Sequence, residues 1–175
     1  MTKPAQTNKR AAARSAARLA AVQALYQMDM TGIDLNAVAA EFREHRIGEA
    51  IEGEEIYAAE TEFFTDLIQG VVAEQRRIDP LVNERLAAGW HLSRIDSILR
   101  AILRAGTFEI LRRADVPARV SINEYVDLAH AFFEGEEPKV VNGLLDRIAK
   151  EVRPEELAPS APSVAGVAAE QGERG

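Results

Sequence analysis

The sequence predicts an all-α protein of about seven helices. Three observations carry that reading. No segment alternates apolar and polar residues for long enough to make a strand. Apolar residues recur at helical spacing in successive windows. Gly, Pro, Ser and Asp punctuate the gaps between those windows, where helix starts and stops need them. At 175 residues the chain is long enough for one domain, or two small halves sharing one core.

Taken in order, Met1 to Thr7 read as a disordered basic arm. A first helix is expected over 8–31, stopped by Gly32, with Leu19, Val22, Tyr26 and Met30 on its apolar side. A second is expected from Asp34 to about Arg46, with Leu35, Val38, Ala39 and Phe42 inward. Residues 47–56, IGEAIEGEEI, read as an acidic surface loop. A third helix follows over 57–75, facing inward through Phe63, Phe64, Leu67, Ile68 and Val71. Asp79-Pro80 has the form of a cap and first-turn proline for a short helix through Ala88. Gly89 ends it, and Trp90 is expected in the core or at a subdomain interface.

Ser93 is expected to cap the most apolar helix, which carries Ile95, Ile98, Leu99, Ile102, Leu103, Gly106 and Ile110 on one face. We take it as the central helix. Gly in its interior costs about 1 kcal/mol against Ala, so Gly106 marks a close helix–helix contact. Arg100 and Arg104 project from the far side. Next, Ser121 and Glu124 make an S-x-x-E capping box. The helix it opens carries Ile122, Tyr125, Val126, Ala129, Phe132 and Phe133 on one face, with Gly135 as a left-handed stop. Glu137-Pro138 then opens a helix facing inward through Val141, Leu144, Leu145, Ile148 and Val152. From 154 to 175 the sequence is rich in Pro, Ala, Ser, Gly and Glu without periodicity, the composition of a disordered tail.

Composition narrows the function. With no Cys, disulfides, thiolate zinc sites and thiol catalysis are excluded, which fits a reducing cytoplasm. No apolar run reaches the roughly 18 residues of a membrane span, and the N-terminus lacks the apolar core of a secretion signal. The net charge is −7, yet residues 1–20 hold Lys3, Lys9, Arg10, Arg14 and Arg18 and no acid, which leaves −12 on the rest. A basic arm on an acidic body points to an anionic partner. Arg10, Arg14 and Arg18 follow at i, i+4 and i+8 with no acidic neighbour one turn away. Cations at a helix N-terminus oppose the macrodipole, so their place is not explained by helix stability. A phosphate-tracking stripe explains it; a solvated helix start is the plainer alternative.

Catalytic signatures are absent. His45, His91 and His130 lack ligand-spaced partners, and no H-E-x-x-H, P-loop, G-x-G-x-x-G or G-x-S-x-G occurs. The Glu pairs fall in loops and turns. Neither an enzyme, a cofactor nor a metal is expected.

At this point the residues resemble the bacterial transcription antitermination factor NusB family. The matching pieces are RLAAVQALYQMDMTG (18–32), LRAILRAGTFEI (99–110), DVPARVSINEYVDLAHAF (115–132) and VVNGLLDRIA (140–149). The order of D-V-P, I-N-E and V-N-G-x-L-D is specific, and the resemblance covers about residues 9–153. It implies an all-helical bundle of two perpendicular subdomains, about 8–88 and 89–153. It implies binding of single-stranded boxA RNA in nascent transcripts, notably ribosomal RNA leaders. Binding is joint with NusE, a small-subunit ribosomal protein, and acts on RNA polymerase with other Nus factors, without catalysis. By position the RNA contacts are Lys9, Arg10, Arg14 and Arg18, with Phe132 and Lys139 from the penultimate helix and the turn after it. Ser15 and Ala16 interrupt the consecutive arginines many relatives have. Phe132 could stack on a base or lie in the core. Tyr26 could be core or part of the NusE face. Asn123 and Asn142 read as helix caps or bridges. The family includes monomers and dimers, so a homodimer stays open.

Two other readings are weighed. A similar domain precedes the catalytic domain of some ribosomal RNA cytosine methyltransferases, but no such domain and no Cys nucleophile is found here. A protein-only adaptor would use the basic arm on an acidic partner face. If about four cations engage phosphates, log K falls with log salt at a slope near −3.

Overall fold

The computed structural model describes residues 4–44 and 54–158. Among these residues there are seven helices and no strand: α1 (Pro4–Thr31), α2 (Leu35–Phe42), α3 (Glu54–Arg85), α4 (Ser97–Arg112), α5 (Ala118–Phe132), α6 (Glu137–Val152) and α7 (Pro154–Leu157). They are not the seven expected from the sequence. The two helices expected over 57–88 are one, and a short helix follows where a tail was expected.

The merger comes from packing. Pro80 lies inside α3, where it removes a backbone donor and costs about 3 kcal/mol. Ile78 and Val82, on either side of it, are fully buried. The Asp79 carboxylate does not cap a helix; it accepts from Arg104 Nε and Nη2 at 2.8 and 2.9 Å. These anchors outweigh the local stop signal.

Other start signals are also displaced. α1 begins by Pro4, so part of the expected arm is helical. Of the expected acidic loop, 47–53 lies outside the described residues and 54–56 belongs to α3. Ser93 does not cap α4. Residues 91–95 form a turn, and Asp96 Oδ1 accepts from the backbone N–H of Ile98 at 2.7 Å. A carboxylate at that point also meets the positive end of the helix dipole. Ser121 is not a cap either: α5 starts three residues earlier, after Pro117, and Ser121 is buried within it. Gly32 and Gly89 hold positive φ as stops, whereas Gly135 does not.

The α5 start has no side-chain cap of its own. Glu156 on α7 supplies one, accepting from the Ala118 N–H at 2.8 Å. Beside it the buried Arg153 donates to the carbonyls of Val116 (2.7 Å), Arg113 (2.8 Å) and Glu109 (3.3 Å), at the end of α4 and in the turn after it; the last two also accept from the backbone N–H groups of Val116 and Arg113. Residues 153–156 therefore clamp the α4–α5 corner. The expected tail from 159 on lies outside the described residues.

One hydrophobic cluster runs through the fold and spans both sides of the expected boundary at 88/89. α4 sits at its centre, packed by α1, α3, α5 and α6. Gly106 is the close contact expected: a Cβ there would come within 2.8 Å of the Leu145 side chain and 3.2 Å of Tyr125. Gly70 on α3 is tighter, since a Cβ would overlap the Phe108 ring. On α1 the buried face is mostly small, with Ala17, Ala21, Val22 and Ala24 at 0% exposure. The expected stripe survives only in part, because Tyr26 and Met30 are exposed. Small side chains let α1 lie close on α3 and α4, which brings its polar residues against their neighbours.

Candidate nucleic-acid interface

The four α1 cations expected to contact RNA have different fates. Lys9 and Arg10 are exposed. Arg14 keeps 40% of its side chain exposed and pairs with Asp115 at 3.3 Å. Arg18 is 2% exposed, so it is not displayed with the others.

Arg18 is held by a buried carboxylate. Glu109 on α4, at 0% exposure, accepts from Arg18 Nη2 at 2.6 Å and from its Nε at 3.0 and 3.1 Å. The same carboxylate accepts from Ser121 Oγ at 2.9 Å and Tyr125 Oη at 2.8 Å, both on α5. One acid thus ties three helices together. Burial opposes a charged Arg18, but the hydrogen bonds and charge of Glu109 outweigh it and hold the guanidinium above its ordinary value. Burial, then the Glu109 charge, pushes the Tyr125 hydroxyl well above its ordinary value. That keeps it a donor. Glu124, expected in a capping box, accepts from Ser15 Oγ at 2.8 Å and lies 3.7 Å from Arg18 Nη1. The interruption at Ser15 is thus a contact to α5.

A second ionic group surrounds Phe63. The Arg14, Arg113 and Arg18 guanidiniums lie 4.9, 4.9 and 5.1 Å from its ring centre, within cation–π range. Arg113 forks onto Asp115 at 3.0 Å and reaches Asp66 at 3.0 Å. Burial works against its charge, but these acids hold it above its ordinary value; in return, Arg113 chiefly holds the Asp115 carboxyl below its own. Acids distant in sequence therefore neutralise part of the basic stripe.

Phe132, at the end of α5, is 38% exposed and so presents part of its ring to solvent. Lys139, in the first turn of α6, is 80% exposed and lies 3.5 Å from Glu136. Eight residues, about 12 Å of helix, separate Phe132 from the Glu124 contact with α1. No described contact joins Phe132 or Lys139 to the arginines. Tyr26 is 37% exposed, with Met30 one turn on at 58%. Asp29 beside them pairs with Arg100 at 3.3 Å.

The sequence model of the NusB family matches residues 15–150. The chain belongs to the NusB family. It is 52% identical over 155 residues to the transcription antitermination protein NusB of Bradyrhizobium sp. (strain ORS 278), covering 89% of this chain and 92% of that one. It is 55% identical over 153 residues to the NusB of Rhizobium rhizogenes, covering 87% and 94%. Among solved structures, Thermotoga maritima NusB superposes with a TM-score of 0.69 at 30% identity, over 90% of this chain and 99% of that one. A structure of antitermination factors NusB and NusE in complex with double-stranded RNA superposes at 0.65 and 26% identity, over 79% and 97%. The all-α expectation is thus met by the NusB fold. Among the described residues no helix is long and apolar enough to cross a membrane.

Sequence reasoning missed Glu109, Asp115 and Glu124 as partners of the α1 arginines, and Arg113 as a third cation on the Phe63 ring. One signal was available: a lone Glu on the most apolar helix demands a buried cation.

Proposed function

We propose that this chain binds the single-stranded boxA element of nascent RNA, notably in ribosomal RNA leaders, together with NusE. In that role it helps RNA polymerase, with other Nus factors, to resist premature termination. The observation that carries this reading is the exposed basic start of α1, where Lys9, Arg10 and Arg14 face solvent on a chain of net charge −7. Family membership and the likeness to a NusB–NusE–RNA complex support it. The RNA in that complex is double-stranded; a single strand is favoured here because the Phe132 ring is exposed and an aromatic ring can stack on an unpaired base. Lys139 adds a fourth phosphate contact. Arg18 acts one step back, holding α1 against α4 and α5. The exposed Tyr26 and Met30 make the NusE face.

The test is binding of labelled boxA RNA and a scrambled control, with and without NusE, at two salt concentrations. Tight, boxA-selective, NusE-dependent and salt-sensitive binding is expected. Equal weak binding to both RNAs with NusE present would sink the reading. Phe132→Ala should weaken RNA binding by about 1–3 kcal/mol while moving the melting temperature little. A loss of stability without a loss of affinity would place its ring in a structural role.

A further inference from the structure

Between the first turns of α1 and the start of α5 lies a cleft of about 480 Å3, lined among others by Arg10, Arg14, Val116, Pro117, Val120 and Glu60. Its volume is in the range of small-ligand sites, about 300–1,000 Å3. Glu60 comes from α3 and is 2% exposed. Among the described residues its Oε2 has no hydrogen-bond partner. Leaving a buried acceptor unpaired is unfavourable unless a ligand donates to it. Val120, on α5, is 43% exposed, an apolar side chain in a lining that also holds charged ones. Arg18 and Glu124 also line the cleft but are engaged with Glu109, Ser15 and each other.

The lining narrows the ligand. An inorganic anion would satisfy the arginines and be repelled by Glu60. A metal ion or cationic peptide would suit Glu60 and be repelled by Arg10 and Arg14. A nucleotide satisfies all three features, with a phosphate, a flat apolar ring and an N–H edge on one molecule. We propose that this cleft receives one nucleotide of the bound RNA, with its phosphate on Arg10 and Arg14, its base against Val116, Pro117 and Val120, and its amino edge on Glu60. Glu60 is then a specificity residue. In its ionised form it selects adenine, cytosine or guanine, whose amino group donates to it, over uracil, whose carbonyl oxygens would face the carboxylate.

The inference rests on the RNA reading above, and the experiment separates the two. With NusE present, a single-stranded boxA RNA is compared with a series in which each non-uracil position in turn is replaced by uracil. The full chain is compared with Glu60→Leu and Glu60→Gln. In the wild type, uracil at one position should weaken binding about tenfold or more. Glu60→Leu should abolish that step and leave the others. Glu60→Gln, which keeps the shape and an acceptor oxygen, should retain part of it and controls for folding. Arg10→Ala should weaken every RNA by a similar factor. A wild-type profile unchanged in both Glu60 variants overturns the nucleotide pocket while leaving RNA binding in place. Failure of the wild type to bind any RNA of the series overturns the RNA reading and the pocket with it.

Discussion

Replacing Arg18 by Ala is expected to unfold more of the protein than any other single change in the basic stripe. The Glu109 carboxylate would stay at 0% exposure with only Ser121 and Tyr125 donating to it. Removing one partner of a buried ion pair costs about 3–5 kcal/mol, because the other charge is left uncompensated. That is a large fraction of the roughly 5–15 kcal/mol by which domains are stable. Arg14→Ala breaks a pair whose side chains are 40% and 50% exposed, and should cost no more than about 1 kcal/mol. Urea unfolding followed by circular dichroism reads both. With a slope of about 2 kcal/mol per molar, Arg18→Ala should lower the midpoint by about 2 M. The two groups act as a unit. Glu109→Ala should therefore cost at least about 1 kcal/mol less in the Arg18→Ala background than in the wild type. If Arg18→Ala left the midpoint within about 0.5 M of wild type while flattening the salt dependence of RNA binding, the reasoning would be refuted. Arg18 would then be a displayed phosphate contact.

Arg14→Ala should weaken RNA of every sequence alike. With Lys9, Arg10, Arg14 and Lys139 engaged, the slope of log K against log salt is near −3, and the variant should lose about 0.7 of it; an unchanged slope would remove Arg14 from the phosphate contacts. Gly70→Ala should destabilise by about 1–3 kcal/mol through overpacking, since the new methyl must displace the Phe108 ring. A melting temperature equal to wild type would show that α3 and α4 can separate freely. Burial pushes the Glu60 carboxyl up to about 7 from an ordinary 4.5. The folded chain therefore holds that proton more tightly. The associated stability is full below about pH 4.5 and is lost as pH rises through 7, by at most about 3 kcal/mol. Arg10, Arg14, Arg18 and Glu124 are the charged groups that face the same cleft. Thermal melts at pH 5 and pH 8 should show Glu60→Gln, neutral throughout, gaining on wild type at the higher pH. An equal gap at both would mean that Glu60 is ionised throughout.

Periodicity determined much of this protein before any coordinates. Side chains three and four apart lie on one helix face whatever the tertiary context, so most of the apolar stripes of α4, α5 and α6 and the close contact at Gly106 were legible from spacing alone, although Phe132 and Val152, at the ends of α5 and α6, are exposed and Ile95 precedes α4. The basic start of α1 was legible as charge for the same reason. Helix ends were not. A cap is a small local preference, and contacts across the fold outweighed it at Pro80, Ser93 and Ser121. The fate of each arginine was also out of reach. Whether Arg18 faces solvent or Glu109 depends on a residue 91 positions away, and no local rule relates two such positions. The alanines of α1 allow close packing. Only the packed bundle decides which cation that packing buries and which it leaves for an anionic partner. The cleft at Glu60 belongs to the same class, since its walls come from three helices and exist only once those helices meet.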